Sequence, residues 1–230
     1  MFRVKICGIT STFDARMAVQ AGADAIGINF YPRSRRCVNP AEAQQIVAAA
    51  REESLRKDRP VVVAGVFVNA SPDHVARLAG ELQLDAVQLH GDESADQLVA
   101  TAEACGETVA ILRAVRMAAD QGQQLADQVS DCQIAGRLPD AILVDAFVPG
   151  HYGGSGQTAP WESLQDWPTL LGGCPLILAG GLTPENVAAA IAQVRPVGVD
   201  VASGVEASPG SKEPRLTARF IDAAVAALEA

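Results

Sequence analysis

The sequence predicts an α/β fold, a single-domain (β/α)8 or TIM barrel, and three observations carry that prediction. Eight short apolar runs recur along the 230 residues. Segments with helical spacing lie between them. No shift in composition and no low-complexity stretch marks a boundary, so residues 1–230 read as one domain. An open doubly wound sheet shares this strand–helix alternation, which by itself does not separate the two architectures.

The runs are Val4–Cys7, Ala25–Phe30, Val61–Val68, Ala86–Leu89, Val109–Val115, Ala141–Val144, Leu176–Ala179 and Val197–Ala202. They are rich in Val and Ile and mostly lack polar alternation, as expected of parallel strands buried on both faces. Helical faces follow them. Ala15, Ala18, Val19 and Ala23 form one, and Val75, Leu78, Ala79 and Leu82 another. Ala188, Ile191 and Ala192 form a third, and Phe220, Ile221, Ala224, Val225 and Leu228 close the series. Ser71-Pro72-Asp73 and Thr183-Pro184 each place a hydroxyl cap before a proline at the first helical position. The longest connection, Met117 to Asp140, holds a helical pattern that reads as the fifth helix with a loop.

Composition narrows the partners. Hydrophobic residues make up 49% and charged residues 20%, ordinary values for a soluble globular chain. A net charge of −9 repels a phosphate backbone, and Arg33-Ser34-Arg35-Arg36 is too short a basic cluster to offset it. Nucleic acid is therefore not expected. Neither is a membrane, since no apolar run approaches the ~20 residues of a span. Met1 to Gly8 has no secretory pattern. Cys7, Cys37, Cys105, Cys132 and Cys174 are odd in number with no C-x-x-C pair, which fits reduced thiols in a cytoplasmic protein and gives no support to a metal site.

In a barrel of this kind function gathers where strands end. The strand ends here are polar or glycine-rich: Cys7-Gly8, Arg33 to Arg36, Asn69, His90-Gly91-Asp92, Arg116, Asp145, Gly180-Gly181 and Ser203-Gly204. A glycine pair after a strand serves a tight turn and a phosphate cradle equally well. Two such turns, after the seventh and eighth strands, tilt the reading toward phosphate. Gly153 to Thr158 lacks a phosphate-loop lysine and is either a mobile surface loop or a lid. Cys7 alone would be a small buried hydrophobe, and Asp145 alone a loop cap. His90-Gly91-Asp92-Glu93 reads as structural or substrate-orienting rather than metal-binding. His74 and His151 read as surface residues.

Together these positions resemble the phosphoribosylanthranilate isomerases of tryptophan biosynthesis. Val4-Lys5-Ile6-Cys7-Gly8-Ile9-Thr10 looks like that family's opening motif. The likeness continues through Gly22 to Gly27, Phe30 to Arg36, Gly65 to Asn69, Val87 to Gly91 and Gly153 to Gly156. It ends in Gly180-Gly181-Leu182-Thr183-Pro184-Glu185-Asn186-Val187 and Val199 to Glu206. The resemblance implies an Amadori rearrangement of N-(5-phosphoribosyl)anthranilate to 1-(2-carboxyphenylamino)-1-deoxyribulose 5-phosphate. It implies Asp145 as general acid and Cys7 as general base, with the site supplying or holding a thiolate. Arg36 would meet the anthranilate carboxylate, while Gly180, Gly181, Ser203 and Gly204 would hold the phosphate. No cofactor is needed, because the imine made on ring opening is the electron sink. The expected partner is a small phosphorylated substrate, for a protein working as monomer or homodimer.

Two places depart from the pattern: Asn29 stands where an apolar residue is expected, and the Met117–Asp140 segment is long. Two other functions compete. A histidine-pathway phosphoribosyl isomerase would carry aspartate as its base after the first strand, where this chain has Cys7. A non-catalytic phosphosugar-binding protein would have no need of both Cys7 and Asp145.

Overall fold

A computed structural model of the chain describes residues 1–117, 122–146 and 161–230. Parallel strands β1 (Val4–Cys7), β2 (Ala25–Asn29), β3 (Val62–Phe67), β4 (Ala86–Leu89), β5 (Ala110–Met117), β6 (Ala141–Ala146), β7 (Leu176–Leu178) and β8 (Gly198–Val201) pair in chain order. The ring closes where β1 meets β8, with Lys5 in register with Asp200. This decides the question the alternation left open: the sheet is a closed barrel, not an open one.

Helices α1 (Thr12–Ala21), α2 (Pro40–Arg56), α3 (Pro72–Leu82), α4 (Ala95–Cys105), α5 (Gly122–Ile134), α6 (Trp167–Leu170), α7 (Val187–Val194) and α8 (Pro214–Leu228) each follow a strand. Their starts have local causes. Asn39 and Ser94 form reciprocal capping boxes with Glu42 and Gln97. Ser71 accepts from the backbone of His74 ahead of α3, with Pro72 in the first turn, as its sequence suggests.

The start and the buried face of α7 differ from what the sequence suggests. Thr183 does not cap α7: it organises a separate turn, accepting from Glu185 N while its own N–H donates to Asn186 Oδ1, and the helix begins at Val187. The buried face of α7 is Val187, Ala190, Ile191 and Val194, whereas Ala188 and Ala192 are exposed. The Ala188 to Ala190 run gives no polarity contrast, so the larger Val187 and Val194, seven apart, set the phase.

The apolar side chains divide into two cores. The larger lies between the barrel and its helices, and the smaller fills the barrel interior with Phe2, Leu112, Leu143, Ile177 and a set of alanines. Ala25, Ala64 and Ala86 place only methyl groups inside β2 to β4. That leaves room inside for long polar side chains from other strands. A two-stranded hairpin, β9 (Glu206–Ser208) with β10 (Ser211–Lys212), extends the chain beyond β8. Among the described residues no helix is long and apolar enough to cross a membrane.

Candidate active site

Side chains two apart on a strand share a face, so β1 turns both Lys5 and Cys7 inward. Lys5 is fully buried and its Nζ donates to Asp200 Oδ1 and to Gln88 Oε1, each at 2.9 Å. It also reaches Cys7. Burial acts most strongly on Lys5 and works against its charge, but Asp200 and Cys7 together outweigh it and hold the ammonium above its ordinary range. Cys7 is pulled in both directions. Burial and the Asp200 carboxylate push its thiol up, more than Lys5 and Lys212 pull it down.

Across the rim, β4 presents Gln88 and, one residue past its end, His90. Gln88 Nε2 lies 2.9 Å from His90 Nδ1, and His90 Nε2 faces Asp145 Oδ2 at 3.4 Å. Asp145 lies inside β6, which runs to Ala146 rather than stopping at Val144. Both residues are buried. Glu93 belongs to the scaffold: it accepts from the backbone of Asn69 and Gly91 and from Arg113. The His90–Glu93 segment is thus split between a pocket-facing imidazole and a loop brace.

Arg36 comes from the β2–α2 connection. Its Nε and one terminal nitrogen each lie 2.7 Å from a Glu206 oxygen, a bidentate clamp. Lys212, also buried, donates to Glu206 Oε1 at 2.9 Å and to the Ala202 carbonyl at 3.0 Å. Burial opposes the Glu206 charge most strongly, yet hydrogen bonds and charge from Arg36 and Lys212 keep its carboxyl below the usual range. The hydrogen bonds that Arg36 donates to Glu206 hold the guanidinium firmly charged, while burial lowers Lys212. A planar guanidinium suits this fork geometry. Asn29 has a local task as well: its Oδ1 accepts from Tyr31 N at 2.8 Å, shaping the turn that leads to Arg36.

Gly180 and Gly181 both adopt positive φ, 82° and 62°, which only glycine takes without strain. Gly204 approaches the Leu182 carbonyl so closely that a Cβ would fall 1.8 Å from its oxygen. The two late loops are thereby packed against each other with backbone exposed to the pocket. One pocket is lined by Cys7, Arg36, His90, Asp145, Gly180, Gly181, Asp200, Ser203 and Gly204. A base candidate, an acid candidate, a cation and an anion-compatible glycine rim thus surround one space, an arrangement suited to proton transfer on a small anionic ligand. A wider hollow lies between α4, β5 and α5. Of the acids lining it, Asp92 and Glu93 are paired with Arg116 and Arg113, and neither Cys7 nor Asp145 lines it.

Every residue singled out for the site therefore borders this pocket: Cys7, Asp145, Arg36, Gly180, Gly181, Ser203 and Gly204. Gly153 to Thr158 and His151 lie outside the described residues. His74 is exposed. Sequence reasoning missed Lys5, Gln88, Asp200, Glu206 and Lys212. Their signal was a polar residue interrupting an otherwise buried strand, two positions from Cys7 in one case and from His90 in another. The Glu206–Lys212 pair sits in a short hairpin with no periodicity to reveal it.

The family model of N-(5'-phosphoribosyl)anthranilate (PRA) isomerase matches residues 4–223. An N-(5'-phosphoribosyl)anthranilate isomerase of Roseiflexus sp. is 44% identical over 229 residues, covering 100% of both chains. That of Trichlorobacter lovleyi is 40% identical over 229 residues, covering 99% of this chain and 100% of its own. The crystal structure of phosphoribosyl anthranilate isomerase from Thermotoga maritima superposes with a TM-score of 0.80 at 36% identity, covering 98% of this chain and 100% of that one. A second solved isomerase, in complex with reduced 1-(o-carboxyphenylamino)-1-deoxyribulose 5-phosphate, gives a TM-score of 0.77 at 35% identity, with coverage of 98% and 100%.

Proposed function

For this chain, which belongs to the N-(5'-phosphoribosyl)anthranilate isomerase family, we propose a division of labour among the rim residues. The reaction is the Amadori rearrangement of N-(5'-phosphoribosyl)anthranilate in tryptophan biosynthesis. Asp145 donates a proton to the ribose ring oxygen as the bond from that oxygen to C1 breaks. The anilino nitrogen lone pair moves in to form a protonated imine at C1. Cys7, as thiolate, takes the proton from C2, and the C–H electrons form the C1–C2 double bond of an enolamine. Proton loss from the C2 hydroxyl and proton gain at C1 give the ketone.

The observation that supports this reading is that Cys7 on β1 and Asp145 on β6 border the same pocket. Those strands lie far apart around the ring, so acid and base approach one ligand from different sides. Burial and Asp200 make the thiolate harder to form, but a thiolate held at a raised pKa is also the stronger base once formed. Lys5 supplies the charge beside it. Arg36, steadied by Glu206, meets the anthranilate carboxylate. The backbone of Gly180, Gly181, Ser203 and Gly204 receives the phosphate, where glycine permits close approach.

The substrate is a small phosphorylated molecule and the place of work the cytoplasm. The relative from Thermotoga maritima has been described as dimeric, and this chain is assigned to the monomer or homodimer class. The test is kinetic. General acid–base catalysis contributes about 10²–10⁴-fold, so Cys7→Ser and Asp145→Asn each lower kcat by roughly that much while product binding changes little. If either variant turns over at close to the normal rate with chemistry limiting, that residue does not have the role assigned to it.

A further inference from the structure

The pocket contains a buried group that this mechanism does not use. His90 is 7% exposed and its Nε2 is a buried atom without a hydrogen-bond partner among the described residues. Such an atom ordinarily costs stability, and the chain leading to it explains its state. An ammonium has hydrogens to give and no lone pair to accept with. The Gln88 atom 2.9 Å from Lys5 Nζ is therefore the amide oxygen. That fixes the orientation of the amide and turns its –NH2 group toward His90 Nδ1, 2.9 Å away. The –NH2 group can only donate, so Nδ1 must offer a lone pair, and the imidazole proton resides on Nε2. The Nε2–H faces Asp145 Oδ2 across 3.4 Å, longer than a formed hydrogen bond.

We propose that Gln88, oriented by Lys5, fixes His90 as the Nε2–H tautomer, and that this N–H steadies the Asp145 carboxylate once its proton has passed to the substrate. The inference rests on Asp145 being the general acid. The 3.4 Å gap fits a donor that waits: a hydrogen bond that tightens only as charge develops lowers the barrier, whereas one already strong in the resting enzyme does not. His90 and Gln88 are positioning residues. The relay Asp200–Lys5–Gln88–His90–Asp145 crosses the barrel from β8 and β1 through β4 to β6, so the environments of base and acid share one polar thread.

The test begins with the wild-type protein and 15N-detected NMR of its histidine side chains, the His90 signals being those lost in His90→Leu. The expected spectrum shows a bare Nδ1 and a protonated Nε2 at neutral pH. A proton on Nδ1, alone or together with Nε2, overturns the proposal whatever the kinetics. Gln88→Glu replaces the donor by an acceptor and is expected to move a proton onto Nδ1, with kcat falling roughly tenfold to a hundredfold at nearly unchanged KM. His90→Gln, whose amide can still donate toward Asp145, is expected to retain more kcat than His90→Leu. Equal and near-normal turnover in both His90 variants overturns the relay while leaving Asp145 as the acid. A wild-type protein that fails to convert phosphoribosylanthranilate overturns the underlying reading instead.

Discussion

Replacing Lys5 by methionine strands a carboxylate, and the consequence can be worked out from the geometry. Methionine matches the lysine stem in size but offers Asp200 no charge and no hydrogen bond. Asp200 is only 7% exposed and its partner lies at 2.9 Å inside the barrel. Breaking a buried ion pair from one side typically costs about 3–5 kcal/mol, mostly the penalty of the charge left behind. Protonation sets a ceiling. A carboxyl of ordinary pKa (~3.9) takes up a proton at pH 7 for about 4 kcal/mol, and the ceiling falls by about 1.4 kcal/mol for each pH unit of acidification. The sign follows. In the variant, a carboxyl deprived of its cation binds its proton more tightly when folded than when unfolded, so the loss of stability grows as pH rises. Urea denaturation of wild type and variant at about pH 5 and about pH 8 is expected to show a cost near 3–4 kcal/mol at the higher pH and clearly less at the lower. Lys5→Met/Asp200→Asn is expected to recover much of the difference. An equal loss at both pH values would mean that packing, not a stranded charge, is what Lys5 provides, and would refute the argument.

Other expectations follow from the same geometry. Arg36→Met removes a charge-assisted contact to a group remote from the reacting carbons, so KM rises about tenfold to a hundredfold with kcat largely kept; a fall in kcat alone contradicts the role. Gly204→Ala drives a methyl group to within 1.8 Å of the Leu182 oxygen, costs about 1–3 kcal/mol of stability, and spreads the two late loops. Its KM for the phosphorylated substrate rises and its Tm falls, and a variant matching wild type in both would show that the loops yield freely. Burial, helped by Asp140 and Cys132, pushes the Cys174 thiol from the ordinary 9.0 up to about 11. A raised folded pKa gives stability that is complete below pH ~9 and lost as pH climbs toward the folded value. Cys174→Ala therefore flattens the alkaline decline measured by urea midpoints, and parallel curves for variant and wild type would contradict this.

Much of this architecture was legible because burial on two faces writes itself plainly. Each of the eight apolar runs contains a strand core, and the ends shifted by only a few residues, as with β5 reaching Met117 and β2 stopping at Asn29. Cys7, Asp145 and the glycine pairs stood out because they ended such runs. Lys5, Gln88 and Asp200 did not, because a single polar residue inside an apolar strand reads locally as noise. Its meaning depends on partners 83 and 195 residues away. Glu206 closes a recognisable motif, yet its task of clamping Arg36 arises from a pairing across 170 residues. The phase of α7 failed for a different reason, since alanines give helical spacing without contrast.

The closing pair of strands also bears on the order in which the chain can assemble. Lys5 lies in the first strand of the barrel and Asp200 in the eighth. Their separation of 195 residues places this contact among the slowest to form, because long loops must be ordered first. Until β8 arrives, an ammonium at Lys5 has no buried counter-charge, and docking β1 early against β7 would bury it alone at a cost of several kcal/mol. The same lysine that sits beside the thiol thus penalises a seven-stranded closure. Nascent chains ending before β8 should leave Lys5 open to amine-reactive labelling, and the completed barrel should shield it. The site is in this sense tied to ring closure, because Lys5 and Asp200 meet only across the seam between the first and the last strand.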